Sequence, residues 1–357
     1  MATILNGYNL LEDWKISPNG KYTFATKKGE KYFLKEFFSP VYPIKGKASK
    51  ATYDRMAEEC DKWLQHQKNL LDKLRIIAGA TGTLVVPTAI FRNESKYYKA
   101  TPAIDSTSMT VAQVAQLPIE KKITLLKSLT QSIVTLHRAN IVHGDLKPEN
   151  ILITTNPLQP DSFITKTIDF DDSYFESEPP IPEETIGTVD YYSPELALYI
   201  LTEDENKAHT ITCKNDVFAC GIIFHEYLTG KKPDLNGYNY AHETLLEKKK
   251  IFVYGGIRAD LRNLINDMLD MDYNKRPSME QVYDRLRGID LSKMSTVRDA
   301  SESQSGSMSS GPQTPPGIRS VVKQQNGQYK ITYSDGRTIC VPSFYLKTIG
   351  LEDFIVN

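Results

Sequence analysis

The sequence predicts an α+β chain: a strand-rich first part carrying one long helix, a mostly helical second part, and a small β-rich C-terminal module. Three observations carry this. Short runs of alternating polarity crowd the first 104 residues. From about residue 105 onward, apolar residues recur mainly at helical spacing. A Ser, Gly and Pro tract then precedes a last stretch with two hairpin-turn dipeptides. The expected boundaries are 1–104, 105–292, a flexible linker at 293–317, and 318–357.

Each element follows from local chemistry. "KYTFATKKGEKYFLKEF" reads as two strands around a Lys27-Lys28-Gly29-Glu30 turn. In residues 51–76 Met56, Cys60, Trp63, Leu64, Leu70, Leu71 and Leu74 recur near every third or fourth position, one buried helical face. "GTLVVPTAIFRNESKYYKATPAI" returns to strands broken at Asn93-Glu94-Ser95. The stretch from Thr110 to Asn140 is helical, with Pro118 near a helix start. Short strands are expected around Ile151–Ile153 and Phe163–Ile168, and an apolar helix from Asp216 to Tyr227. "IRADLRNLINDMLD" and "SMEQVYDRLRG" read as two amphipathic helices. The tract from Ser301 has no apolar period and cannot offset the entropy of packing. Beyond it, Asn326-Gly327 and Asp335-Gly336 predict a three-stranded meander, too small to stand alone and expected to pack on something.

Composition narrows the function classes. Lys plus Arg is 43 against 44 Asp plus Glu, a net charge of -1, so no basic excess points to nucleic acid. The four cysteines form no C-x-x-C pair, which fits free thiols in a reducing cytosol. No apolar run approaches the ~18 residues of a membrane span, and the expected location is cytoplasmic.

The chemistry concentrates in "HGDLKPENILI", His143 to Ile153. Phosphoryl transfer needs a positioned hydroxyl, metal ions and charge neutralisation, with little covalent help from the protein. Asp145 can orient the hydroxyl and accept its proton. Lys147 can neutralise the transferred phosphoryl oxygens. Asn150 can ligate Mg²⁺, a cation that prefers oxygen, and Asp169 in "TIDFDDSYF" can ligate the same metals.

On these motifs, in this order, residues 10–290 resemble the protein kinase superfamily, specifically eukaryotic-like Ser/Thr kinases, and among them soluble bacterial members. The resemblance implies a bilobal protein-kinase-like fold and transfer from ATP, with Mg²⁺ (or Mn²⁺), to Ser/Thr hydroxyls of proteins. "HGDLKPEN" is similar to the catalytic loop. "GTVDYYSPE", from Gly187 through Thr188 to Glu195, is similar to the end of an activation segment. Asp216 resembles the buried anchor of the long C-lobe helix, and Arg276 would pair with Glu195. Lys35 in "YFLKEF" fits the strand lysine that holds the α- and β-phosphates, with Glu59 as its helix partner and Glu58 as the competitor. The resemblance also implies an opposing PP2C-type phosphatase.

Three departures stand out. There is no G-x-G-x-x-G; Gly20 is the only glycine of the phosphate-covering turn "SPNGKYTF". Gly144 replaces the arginine that receives an activation-segment phosphate, so activity is expected not to need that clamp, and Thr185→Ala to be tolerated. Asp171 replaces the glycine of Asp-Phe-Gly. The expectation is a retained metal ligand, Asp169, on a stiffer hinge, with Asp171 tolerating turn conformations. Two alternatives stay open: a pseudokinase binding module, favoured by the poor glycine loop, and a small-molecule phosphotransferase, favoured by His-Gly-Asp-Leu. Self-phosphorylation is expected at the serines of 301–310 and Thr314, tethered near their own site.

Overall fold

Lys28 and Gly29 both adopt positive φ, 53° and 85°, which closes the first long hairpin as a tight two-residue turn. The computed structural model describes residues 4–17, 20–104, 108–156, 159–185, 187–289, 318–323, 329–333, 338–341 and 355–356. The chain divides into two compact units. The first is Met1–Ser108 with Leu152–Thr154 and Thr165–Phe170; the second is Met109–Ile151, Thr155–Ile164 and Asp171–Asn357.

The first unit contains β1 (Ile4–Leu5), β2 (Tyr8–Leu10), β3 (Lys15–Ser17), β4 (Gly20–Lys27), β5 (Glu30–Phe37), α1 (Lys50–Thr81), β6 (Ala89–Asn93) and β7 (Lys96–Pro102). They form a seven-stranded sheet in the order β1-β2-β4-β5-β7-β6, with β3 on β4. Its strand pairs are antiparallel. Alternation puts Leu34 with Ala25, Ala100 and Tyr8 in one cluster, and Phe37 with Tyr97, Cys60 and Trp63 in another. The Ser49 hydroxyl accepts from Thr52 N to start α1, and Gly82 ends it in the left-handed region. An isolated bridge from Leu84 to Thr167 ties the 165–170 segment into this unit.

The second unit is mostly helical. It holds α2 (Val111–Ala115), α3 (Ile119–His137) and the short β8 (Ile141–Val142). Two strands, β9 (Ile151–Asn156) and β10 (Gln159–Thr167), pair and contribute residues to both units. β11 (Tyr174–Phe175) pairs with β8. Then come α4 (Pro194–Thr202), α5 (Lys214–Thr229), α6 (Ala241–Leu246), α7 (Ala259–Met268) and α8 (Met279–Arg287). Every residue of α5 from Asn215 to Tyr227 is buried, so this helix is central, with Asn215, Asp216, His225 and Glu226 as its buried polar residues. Ser278 and Gln281 close a reciprocal capping box on α8.

The C-terminal strands are β12 (Ile318–Lys323), β13 (Tyr329–Tyr333), β14 (Thr338–Val341) and β15 (Ile355–Val356). The expected three-stranded meander forms as β12-β13-β14, and β15 adds a fourth strand parallel to β12. This sheet belongs to the second unit. Both turn dipeptides and the expected linker at 293–317 lie outside the described residues.

Candidate active site

In the second unit, Asp145 is the centre. It follows β8 and is 8% exposed. Lys147 Nζ donates to its Oδ2 at 2.6 Å, and the Thr188 hydroxyl donates to its Oδ1 at 2.8 Å. Lys147 Nζ also donates to Thr188 Oγ1 at 2.8 Å. Asn150 Nδ2 donates to the Asp145 carbonyl at 2.8 Å and to its Oδ2 at 3.1 Å, which leaves the amide oxygen for another partner. A buried carboxylate thus faces an ammonium and an amide on one oxygen and a hydroxyl on the other.

The loop that carries Asp145 is held from below by Asp216, 2% exposed at the start of α5. His143 N and Gly144 N donate to its two carboxylate oxygens at 2.8 and 3.2 Å. His137 Nε2 lies 3.0 Å from the same carboxylate. Charge-assisted bonds of this kind fix the loop backbone. Gly144 has φ +83°, and a Cβ there would run into the Asp172 carbonyl oxygen. The glycine is therefore demanded by backbone packing and is more than a missing arginine. Gly144→Ala is expected to cost roughly 2 kcal/mol or more in a urea titration, from left-handed strain plus the clash. An unchanged midpoint would contradict this.

Glu195 and Arg276 form a bidentate pair, Nη1–Oε1 2.6 Å and Nη2–Oε2 2.8 Å. Arg276 Nε also donates to the Asp270 carbonyl, and its guanidinium lies 4.8 Å from the Phe218 ring centroid. Thr185 is buried and its hydroxyl donates to the Ile181 carbonyl.

Next to Thr188, Tyr191 donates to Glu226 Oε2 at 3.0 Å, and Lys232 bonds Asp190 at 2.6 Å. Burial pushes the Glu226 carboxyl up to about 7; Glu149 and Asp190 add to the rise, while Tyr191 and Lys232 oppose it. Its folded pKa lies above the unfolded value of 4.5, so its contribution is fully present below about 4.5 and is lost as pH rises through about 7. Glu226→Gln is expected to be more stable than wild type at pH 8 by about 1–3 kcal/mol, and to lose that advantage at pH 4, in paired urea titrations. An equal difference at both pH values would overturn the assignment.

In the first unit, Lys35 Nζ lies 3.8 Å from Asp169 Oδ1. Cross-strand register sets Lys35 opposite Lys99 on β7 and Tyr22 on β4. The expected Lys35–Glu59 pair is not formed. Glu59 is exposed and pairs with Arg55, and Glu58 is exposed and pairs with Lys62. The physical reason is helical phase. Ala57, Cys60, Gln67, Leu70, Leu71 and Leu74 are the buried positions of α1, and both glutamates fall outside that stripe. Gly20 opens β4, and a Cβ there would run into the Glu36 carbonyl, so its lack of a side chain serves strand packing. Pro18 and Asn19 of the expected phosphate-covering turn lie outside the described residues.

Within Asp169-Phe170-Asp171-Asp172 one residue has a left-handed backbone. The residue in the left-handed region is Asp169, φ 59°; Asp171 is not among the positive-φ residues. The tolerance for turn conformations invoked for Asp171 is therefore not used. Phe170 is buried at 2%.

Sequence reasoning missed three contacts: the Thr188 hydroxyl on Asp145, His137 on Asp216, and Tyr191 on Glu226. A helical phase for α5 starting at Asp216 would have placed Glu226 ten residues along the same helix, but nothing local points from Thr188 back to Asp145. Among the described residues no group of three or more His, Cys, Asp or Glu could hold a metal, and no helix is long and apolar enough to cross a membrane.

Comparison with known proteins agrees with this layout. A calcium/calmodulin-dependent serine/threonine-protein kinase of Malus domestica is 31% identical over 180 residues, 49% of this chain and 40% of the relative. An Aurora kinase of Schizosaccharomyces pombe is 30% identical over 179 residues, 49% of this chain and 45% of the relative. A calcium and calcium/calmodulin-dependent serine/threonine-protein kinase of Pisum sativum is 31% identical over 163 residues, 44% of this chain and 29% of the relative. The similarity thus spans less than half of each of these relatives. The protein kinase domain profile matches residues 48–285, beginning just before α1 and ending within α8. With that match covering well over half of the sequence, and with Asp145, Asp216 and the Glu195–Arg276 pair arranged as described, the chain belongs to the protein kinase domain family.

Proposed function

We propose that this chain transfers the γ-phosphoryl group of ATP to Ser or Thr hydroxyls of proteins. The observation that carries the reading is the Thr188 hydroxyl donating to Asp145 Oδ1 beside Lys147. Asp145 already accepts from a hydroxyl of the acceptor's kind, and a neighbouring ammonium sits where negative charge would develop. The acceptor oxygen forms a bond to the γ-phosphorus while the bond from that phosphorus to the β,γ-bridging oxygen breaks. The acceptor proton passes to Asp145, and ADP leaves. Lys147 neutralises phosphoryl oxygens. Lys35 supplies a cation for the phosphates of the nucleotide. The amide oxygen of Asn150 and the carboxylate of Asp169 are each hard donors of the kind Mg²⁺ takes. When bound, such a cation supplies charge neutralisation at the phosphates.

The names of the relatives support Ser/Thr acceptors. Self-phosphorylation within 301–314 belongs to the same reading, on tethering alone. A cytoplasmic location rests on the cysteine pattern and the lack of a long apolar run, and an opposing PP2C-type phosphatase on the resemblance. The test is transfer from labelled ATP with Mg²⁺, to the chain itself and to a generic protein acceptor, with mass mapping of the products. Label on Ser or Thr supports the proposal. ATP binding without transfer favours a pseudokinase, and transfer only to small alcohols favours the small-molecule phosphotransferase.

A further inference from the structure

The C-terminal sheet shares a buried core with the segment that carries Thr188. Val321 on β12 and Ile331 on β13 are direct cross-strand partners, so both face one side of the sheet. Both are fully buried, and both belong to one apolar cluster with Val189, Tyr192, Leu196 and Ile200. Val189 adjoins Thr188, Tyr192 bonds the Gly187 carbonyl, and Leu196 and Ile200 lie on α4. β14 also lies against α4. On the same strand Val322 is 36% exposed, on the opposite face from Val321.

This arrangement has a consequence for the site. Thr188 reaches Asp145 only if the residues after it are held in place, and Gly144 offers no side chain to anchor a phosphate on that segment. Thr185, the hydroxyl nearest before it, is buried and bonded within its own turn. Besides the Tyr191–Glu226 and Lys232–Asp190 bonds, the segment is held by apolar packing, with Val189, Tyr192 and the α4 residues Leu196 and Ile200 in one core with Val321 and Ile331. We propose that the 318–356 sheet is an intramolecular brace, with Val321 and Ile331 as positioning residues that set the Thr188–Asp145–Lys147 geometry without phosphorylation of the segment. The inference rests on the protein kinase reading for its activity readout.

The test uses the full chain. Val321→Asp and Ile331→Asp put a charge into the cluster; Val321→Ala and Ile331→Ala are milder forms should the charged variants fail to fold. Val322→Asp is the control on the open face. The expected result is a kcat at least tenfold lower in the Asp variants, an ATP affinity within twofold of wild type, and faster amide exchange in 188–201. Val322→Asp and Ile331→Leu should match wild type. A purely structural loss would move ATP affinity and the exchange of the whole chain together, and would overturn the proposal. So would an unchanged kcat in Val321→Asp and Val321→Ala when exchange shows 318–333 released. If wild type itself transfers no phosphate, the kinase reading fails, and exchange alone judges the brace. Protection of 188–201 that is unchanged when Val321 is replaced then refutes it, and lost protection supports it.

Discussion

Asp145→Asn is expected to lower phosphoryl transfer by about 10²–10⁴-fold, the range for removing a general base from a hydroxyl acceptor. The substitution keeps the size of the side chain and an oxygen for Thr188, but it removes the negative charge that Lys147 meets at 2.6 Å. The loop should survive, because its backbone hangs on Asp216 through His143 N and Gly144 N and not on the Asp145 carboxylate. ATP affinity should also survive, since Lys35 and Asp169 belong to the other unit and Asn150 keeps its bond to the Asp145 carbonyl. Steady-state transfer, a thermal melt and an ATP titration on the same preparation check all three parts. A variant retaining a tenth of wild-type kcat would remove Asp145 from the role of base.

Arg276→Met is expected to cost about 3–5 kcal/mol, a fall in Tm on the order of 10 °C. Arg276 is 1% exposed, and its removal strands Glu195, 8% exposed, without the two hydrogen bonds that offset its burial. The Asp270 and Lys214 carbonyls lose a donor as well. Glu195→Gln should cost less, because a neutral amide can still accept from Arg276. The double variant Arg276→Met with Glu195→Leu should recover part of the loss, because removing both partners leaves no uncompensated charge. A strictly additive double variant in urea titrations would show that the pair is not coupled.

Much of this was legible in the sequence, for reasons that differ by element. The Lys28-Gly29 hairpin was legible because its turn lies between two adjacent alternating strands and is decided by two neighbouring backbone conformations. Most of the buried stripe of α1 follows from spacing, but Met56, expected on that face, is exposed, and Ala57 and Gln67 are buried instead. The pairing of Glu195 with Arg276, 81 residues apart, came from motif resemblance and stands in the structure. The choice of Glu59 as partner for Lys35 failed, because motif spacing does not give the rotation of a helix against a sheet. The buried stripe Cys60, Gln67, Leu70, Leu71 and Leu74 does give it, and it turns both Glu58 and Glu59 outward.

By itself the sequence determined the order of strands and helices, the family motifs and the residue types at the transfer site, because turns, helical periodicity and motif spacing are local properties of the chain. Only the tertiary structure decided that Asp169 pairs with Lys35, that Thr188 closes on Asp145, that Gly144 must yield to the Asp172 carbonyl, and that the C-terminal sheet joins the core of α4. Each of those depends on the packing of segments far apart in the chain, and the distances involved are set by side-chain volume and register, which no local pattern encodes.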